Sequence, residues 1–385
     1  MAGIYIHIPF CRRACHYCNF HFSTSLQRKN DFVSALLEEI ERKRLYFEGE
    51  SVETIYLGGG TPSLLSAGEL EQIMKKLRTV FPIEAGAEVT LEANPDDITI
   101  AGNLQSWRAA GINRLSIGIQ SFYEEDLQWM NRAHTASQAL NSITMAQEEG
   151  FDNISIDLIY GSPILTDEHW ARNVEQAIRL KIPHLSCYAL TVEPKTALDK
   201  MISQHKKEAV DPDTQARQFL LLMDWLERAG YEHYEISNFA LPGKRSRHNS
   251  SYWQGKKYLG LGPSAHSYDG GSRQWNIANN ALYILPPEGQ PLFEKEDLTA
   301  AQRLNEYIMI SLRTKEGCNA AYVAATFGEA AGKKLMAQAG RYIQEGKMNI
   351  EYVNDPNKDQ ETGQRLVLTR EGKLLADGIA ADLFQ

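Results

Sequence analysis

The segment Ile4-Tyr5-Ile6-His7-Ile8-Pro9-Phe10-Cys11-Arg12-Arg13-Ala14-Cys15-His16-Tyr17-Cys18 decides how this chain is read. Its apolar start, Ile4–Pro9, reads as the first strand. Three of the chain's five cysteines, Cys11, Cys15 and Cys18, follow at once. A structural zinc ion takes four ligands, commonly grouped as two pairs. A cubane iron–sulfur cluster also takes four cysteines. Three thiolates therefore leave one coordination position open for a substrate or cofactor. The competing readings are three plain thiols, or a zinc site completed by His16 or His21.

Composition sets bounds on the rest. The 385 residues, 43% hydrophobic and 23% charged, describe an ordinary globular chain of two or three domains. A net charge of −9 repels nucleic acid and anionic membrane surfaces. No run approaches the roughly 18 apolar residues of a membrane span. The first residues lack the basic and apolar regions of a signal peptide. An odd number of cysteines, three of them crowded together, does not resemble a secreted disulfide framework. The expected location is cytoplasmic.

Short runs rich in β-branched residues recur at Ile4–Pro9, Glu53–Leu57, Glu88–Ala93, Arg114–Ile119, Asn153–Tyr160 and His184–Leu190. Amphipathic stretches such as Phe32–Phe47 and Leu70–Val80 lie between them. This alternation predicts an α/β protein with a parallel sheet and right-handed crossovers. Six units are too few for a closed eight-stranded barrel, and either an open partial barrel or a doubly wound sheet fits. Both place the chemistry at the strand C-termini.

Polar and glycine-rich residues gather at those ends. The second strand leads into Gly58-Gly59-Gly60-Thr61-Pro62 and the third into Glu92-Ala93-Asn94-Pro95. The fourth runs into Gly118-Ile119-Gln120-Ser121-Phe122, and the fifth carries Asp157 before Tyr160-Gly161. Glycines let a backbone approach a ligand closely, although the dinucleotide spacing is absent. Taken singly, the glycines make a tight turn, Glu92 and Asp157 are solvated carboxylates, and Arg132 is a surface charge. Their coincidence with the cysteines is what points to one site.

The C-x-x-x-C-x-x-C run after the first strand, with GGGTP after the second, resembles the radical S-adenosylmethionine superfamily. The further segments Glu92–Pro95, Ser116–Phe122 and Asp157–Gly161 resemble the subgroup containing oxygen-independent coproporphyrinogen III oxidase. The resemblance implies a partial (β/α)6 TIM-like barrel. Cys11, Cys15 and Cys18 would hold a [4Fe–4S] cluster whose open iron chelates S-adenosylmethionine. An electron donor would reduce the cluster, and the sulfonium would release a 5′-deoxyadenosyl radical. By the same resemblance, Gly59, Gly60 and Thr61 contact S-adenosylmethionine through their backbone. Glu92 takes its ammonium or ribose, and Gln120, Arg132 and Asp157 line a further S-adenosylmethionine site. Tyr5 and Tyr17 flank the cofactor.

Two departures separate the chain from the oxidase. Phe20 stands where the oxidase pattern has a fourth cysteine, and no long extension precedes the first strand. Both features match a heme chaperone subfamily. His248-Asn249-Ser250-Ser251-Tyr252-Trp253 is similar to that subfamily's H-N-x-x-Y-W motif, and Tyr258-Leu259-Gly260-Leu261-Gly262-Pro263-Ser264-Ala265-His266 follows. The resemblance implies heme bound near His248 and passed to apo-hemoproteins such as respiratory enzymes, with homodimerisation when the cluster is present. Read from its chemistry alone, the same segment is a packing loop with His248 hydrogen-bonded. Lys244, Arg245 and Arg247 are either propionate partners or a solvated basic loop. Coproporphyrinogen III oxidation, or another radical reaction on a tetrapyrrole, is the alternative function.

The organisation expected is a barrel over 1–230, a connecting segment with the heme motif over 231–290, and a C-terminal α+β domain over 291–385. Leu282–Pro291 reads as a linker. Helical stretches at Ala300–Leu312, from Ala320, and at Ala330–Gln344 precede two strands, Asn349–Val353 and Arg365–Leu368, around the polar loop Asp355–Asp359. With a last helix at Gly372–Phe384 they resemble a winged-helix-like module, used as a lid or docking surface rather than on DNA. Cys187 and Cys318 read as buried apolar residues.

Overall fold

A computed structural model describes residues 2–289, 291–354 and 361–385. Six parallel strands, β1 (Ala2–Ile8), β2 (Val52–Gly59), β3 (Ile83–Ala93), β4 (Arg114–Gln120), β5 (Ile154–Tyr160) and β6 (His184–Ala189), are hydrogen-bonded in sequence order. Beyond β6 lie β8 (Asn238–Ala240) and the edge strand β7 (Glu232–Glu235). Beyond β1 come β9 (Tyr258–Leu261), β10 (His266–Tyr268), β11 (Ser272–Asn276) and the edge strand β12 (Phe293–Asp297). The sheet thus has two free edges, so the barrel is partial and open. β9 runs parallel to β1, pairing Gly3 with Tyr258 and Ile6 with Leu261.

Alternation along each strand separates two faces. Ile4, Ile6, Ile8, Ile55, Leu57, Leu91, Leu115, Ile117, Ile156 and Leu158 all point outward and are fully buried. They share one core with Phe32, Leu36, Leu70, Leu77, Trp170 and Val174 of the helices Lys29–Arg42, Ala67–Val80 and Asp167–Arg179. Each such side chain stabilises the fold by about 1.5–3 kcal/mol relative to exposure. The inner face is different. Tyr5 lies beside Tyr56, Glu92 beside Ser116, and Asp157 beside Ser186. Polar and aromatic groups therefore fill the interior that the outward apolar residues leave.

A short helix, Arg247–Trp253, closes the inner face at the N-terminal ends of the strands. Ser246 caps it by accepting from the Asn249 N–H. The backbone N–H groups of Arg247 and His248 both donate to Glu88, at 3.2 and 3.0 Å. Gly3 makes room for this helix, since a Cβ there would lie 2.9 Å from Thr54 Oγ1 and 3.4 Å from the His248 ring.

The C-terminal part has a second core of Leu304, Ile308, Leu312, Val323, Leu335, Met348, Leu366 and Leu383. Helix Ala300–Leu312, β13 (Cys318–Asn319), helices Ala320–Phe327 and Glu329–Gln344, β14 (Met348–Asn354) and β15 (Glu361–Leu368) follow one another in winged-helix order. The three strands are arranged β13-β15-β14. The single last helix expected at Gly372–Phe384 is instead two, Arg370–Lys373 and Ala376–Asp382. Thr369 caps the first through the Gly372 N–H, and Gly372 is pressed against the Lys347 carbonyl, which fixes its direction. The loop Asp355–Asp359 lies outside the described residues. Within Leu282–Pro291, the residues to Ile284 finish the helix Asn280–Ile284. Cys187 and Cys318 are buried, in line with their apolar reading. Among the described residues no helix is long and apolar enough to cross a membrane.

Candidate cluster and cofactor site at the strand rim

The three cysteines occupy the loop that leaves β1, at the C-terminal rim of the sheet. All are half-buried and none is in a disulfide. Backbone contacts shape the loop: the Cys11 N–H donates to the Ser23 carbonyl and the Cys18 N–H to the Cys15 carbonyl. Thr61 Oγ1 donates to Cys11 Sγ at 3.4 Å, and Arg132 Nη1 to Cys15 Sγ at 3.3 Å. Burial pushes the Cys11 thiol up to about 11, despite the Thr61 hydrogen bond, and burial also raises Cys18. Bound metal reverses that tendency, because a coordinating thiol is deprotonated outright. Among the described residues no three His, Cys, Asp or Glu side chains converge on a single ion position. A cubane does not need that convergence, since each thiolate takes a separate iron.

The glycine turn is locked to the same rim. Gly60 N–H donates to the Ile8 carbonyl at 2.9 Å, and a Cβ at Gly60 would lie 2.7 Å from that oxygen. Gly59 has a φ of +103°, a left-handed conformation that suits glycine, and its α-carbon abuts the His7 ring. Glu92 reaches the turn from β3. It accepts from the Gly59 N–H at 3.0 Å and from the Tyr56 hydroxyl at 2.8 Å. Burial raises its carboxyl to about 7, against the Tyr56 hydrogen bond, and the neighbouring Asp157 charge adds to the rise. Burial likewise lifts Asp157 to about 6. Neither carboxylate has an ion-pair partner within 4.0 Å among the described residues. They form an electronegative inner wall suited to a cationic ligand.

Arg132 ties the wall to the cysteines. Its guanidinium donates to Asn94 Oδ1 at 2.7 Å and to the Gly118 carbonyl at 2.9 Å, besides Cys15. Its Nε is buried without a hydrogen-bond partner. Gln120 sits where the β4–β5 register breaks, with a φ of +65°. Left-handed geometry at a non-glycine residue stores about 1–3 kcal/mol of strain and clusters at functional sites. Tyr5 stacks on Tyr56 with centroids 6.1 Å apart, and Tyr17 packs beneath the cysteine loop near Leu127 and Met130. Soft thiolates, a cationic-ligand wall and an unpaired donor together fit an iron–sulfur cluster and S-adenosylmethionine.

A heme chaperone HemW from Mycobacterium tuberculosis is 34% identical over 387 residues, spanning 99% of this chain and 94% of its own length. The chain belongs to the HemW family. A second HemW, from Escherichia coli K12, is 38% identical over 328 residues, covering 82% of this chain and 83% of its own. The radical SAM superfamily matches residues 5–177. The solved coproporphyrinogen III oxidase HemN of E. coli, a radical SAM enzyme, aligns with a TM-score of 0.82 at 24% identity, over 100% of this chain and 90% of its own. That likeness establishes the shared fold.

For a HemW-family chain the position of His248 is unexpected. The ring is only 1% exposed. Nδ1 pairs with the Thr54 hydroxyl at 2.8 Å and Nε2 with the Tyr252 hydroxyl at 2.9 Å. It stacks on Tyr56, at the end of the strands opposite the cysteines. From Thr54 to Gly59 the rise along β2 is roughly 15 Å. In this fold both ring nitrogens of His248 are therefore engaged, as in the packing alternative drawn from its chemistry. The basic residues before it are also engaged elsewhere. Arg245 pairs with Glu232 and Glu316, Lys244 approaches Asp152, and Arg247 donates to the Gly86 carbonyl.

Tyr56 and the Glu88–Arg114 pair complete the inner face and escape the motif reading. Period-two polarity in Thr54/Tyr56 and in Glu88/Thr90/Glu92 is the sequence signal that marks them.

Proposed function

We propose that this protein is a heme chaperone that carries a [4Fe–4S] cluster on Cys11, Cys15 and Cys18, holds S-adenosylmethionine against its inner wall, and delivers heme to apo-hemoproteins. The observation that carries the reading is the near full-length likeness to HemW proteins, combined with Phe20 in place of a fourth cysteine. When bound, the cluster and S-adenosylmethionine supply one-electron chemistry at a sulfonium. The chain's own residues bind and orient. Glu92 and Asp157 face the cationic groups, Gly59 and Gly60 let the backbone close in, and Arg132 offers its free Nε to a carboxylate. Tyr5 and Tyr17 shield the site, Gln120 lines it, and an electron donor approaches the exposed cysteine loop. A cytoplasmic location fits the acidic, helix-covered exterior.

Glu92 gives this reading a pH signature. Its carboxyl is protonated below about 7 and must ionise to receive an ammonium group. Calorimetric titration with S-adenosylmethionine is thus expected to show affinity rising as pH increases through about 7, with Asp157 adding a smaller rise near 6. In Glu92→Gln only the lower rise remains. A flat profile in the unaltered protein would remove Glu92 from the binding wall.

Coproporphyrinogen III oxidation is the rival function. Anaerobically reconstituted, reduced protein is incubated with coproporphyrinogen III and S-adenosylmethionine, and in parallel heme-loaded protein is mixed with an apo-hemoprotein. Heme should move to the apo-protein while coproporphyrinogen persists. Catalytic formation of protoporphyrinogen would overturn the chaperone reading.

A further inference from the structure

With His248 enclosed, the inner face has to be searched for another group able to hold heme iron. Strand pairing extends that face past β1. Tyr5 is beside Gly260 on β9, Tyr258 on β9 is opposite Tyr268 on β10, and His266 on β10 is opposite Trp275 on β11. Residues paired across neighbouring strands share a face. His266 and Trp275 therefore lie on the same surface as Tyr5, Tyr56 and Glu92. β9 is parallel to β1 and β10 antiparallel to it, and with Tyr268 opposite Tyr258 this puts His266, the first residue of β10, level with Gly260 and Tyr5 in the middle of the sheet. Two strand spacings separate it from Tyr5, roughly 10 Å. The strand between them presents Gly260 there, and the His266 backbone packs over it, since a Cβ at Gly260 would lie 2.1 Å from the His266 carbonyl oxygen.

We infer that His266 is the protein's axial ligand to heme iron, with the Trp275 indole bracing its imidazole. This rests on the heme-chaperone reading above and names the residue that does its binding. His266 is exposed, and neither ring nitrogen has a hydrogen-bond partner among the described residues. Its ring stacks on Trp275 with centroids 6.4 Å apart and planes inclined by 30°. An imidazole is a common heme ligand, and the stacked indole fixes the plane of this one. The imidazole is neutral at physiological pH, as ligation requires, because partial burial and Arg273 both lower its pKa.

The turn before His266 is held rigidly. Buried Glu39 accepts from the Gly262 N–H at 2.8 Å, from Asn276 Nδ2 at 2.7 Å and from the Tyr283 hydroxyl at 2.7 Å. These bonds fix the residues just before His266 and just after Trp275. Ser264, between Gly262 and His266, has a φ of +65°. The other histidines do not compete for the role. His7 is buried with both ring nitrogens engaged, by the Tyr5 hydroxyl and the His21 carbonyl, and His16 and His21 belong to the cysteine loop that would hold the cluster.

The test is anaerobic titration of the cluster-loaded, full-length protein with hemin, followed by absorbance and electron paramagnetic resonance. Cluster content and thermal melting serve as folding controls. His266→Ala should bind about 10- to 100-fold more weakly and lose the histidine-ligated spectrum. His266→Met should retain binding with a methionine-ligated spectrum, and Trp275→Leu should weaken binding while keeping the histidine signature. Exposed His205→Ala is the control expected to match the unaltered protein. A folded His266→Ala that titrates like the unaltered protein, or a His266→Met with an unchanged spectrum, would overturn the assignment and leave the heme reading standing. An unaltered protein that takes up no heme would overturn both.

Discussion

Cys15→Ala, reconstituted anaerobically with iron and sulfide, is expected to stay colourless and to retain essentially no cluster iron. The same holds for Cys11→Ala and Cys18→Ala. With three thiolates for four irons the site has no redundancy. Removing one leaves a second iron open and the cluster prone to loss. The fold should survive, because the three side chains sit in a half-exposed loop outside both hydrophobic cores. Iron analysis paired with circular dichroism separates the two effects. Full iron content with a cubane signature in any of the three variants would refute the ligand assignment.

Glu88→Ala has the largest expected effect on stability. Glu88 is 4% exposed and approaches Arg114, 1% exposed, at 3.8 Å. It also takes the first two N–H groups of the helix that plugs the barrel floor. Arg114 Nε and Nη2 have no hydrogen-bond partner, so its charge depends on this carboxylate. Removing one partner of a buried pair costs about 3–5 kcal/mol, because the other charge is left stranded. Chemical denaturation should show that loss, with Glu88→Gln falling between. A change under about 1 kcal/mol would place the pair among weakly coupled surface pairs instead.

The central strands were legible because β-branched runs and flanking helical periods are strong local signals. β4, read as Arg114–Ile119, differs from the observed strand by one residue, Gln120. Strands β9 and β12 were not legible. Tyr258-Leu259-Gly260-Leu261 carries a glycine near its centre, and Phe293-Glu294-Lys295-Glu296-Asp297 is charged at four of five positions. The first becomes a strand because β1 offers a free edge, and the second because an exposed edge strand tolerates charge. The rim site was legible for a related reason: residues at strand ends converge whatever the details of side-chain packing. The place of His248 was not legible, because its motif says nothing about which end of the barrel the segment closes. That choice depends on Thr54 and Glu88, remote in sequence and contributed by two other strands.

The pairing of β9 with β1 sets a clock on biogenesis. β1 is an interior strand whose second neighbour is made only after Leu261 has been synthesised. Until then the nascent chain shows an unpaired strand edge immediately before three reduced thiols, an invitation to misassembly and oxidation. Closing a contact between Gly3 and Tyr258 is slow compared with forming the local units. Cluster loading on the ribosome would thus precede the sheet that supports the loop. Maturation is better served by iron–sulfur delivery once β9 has emerged and paired with β1.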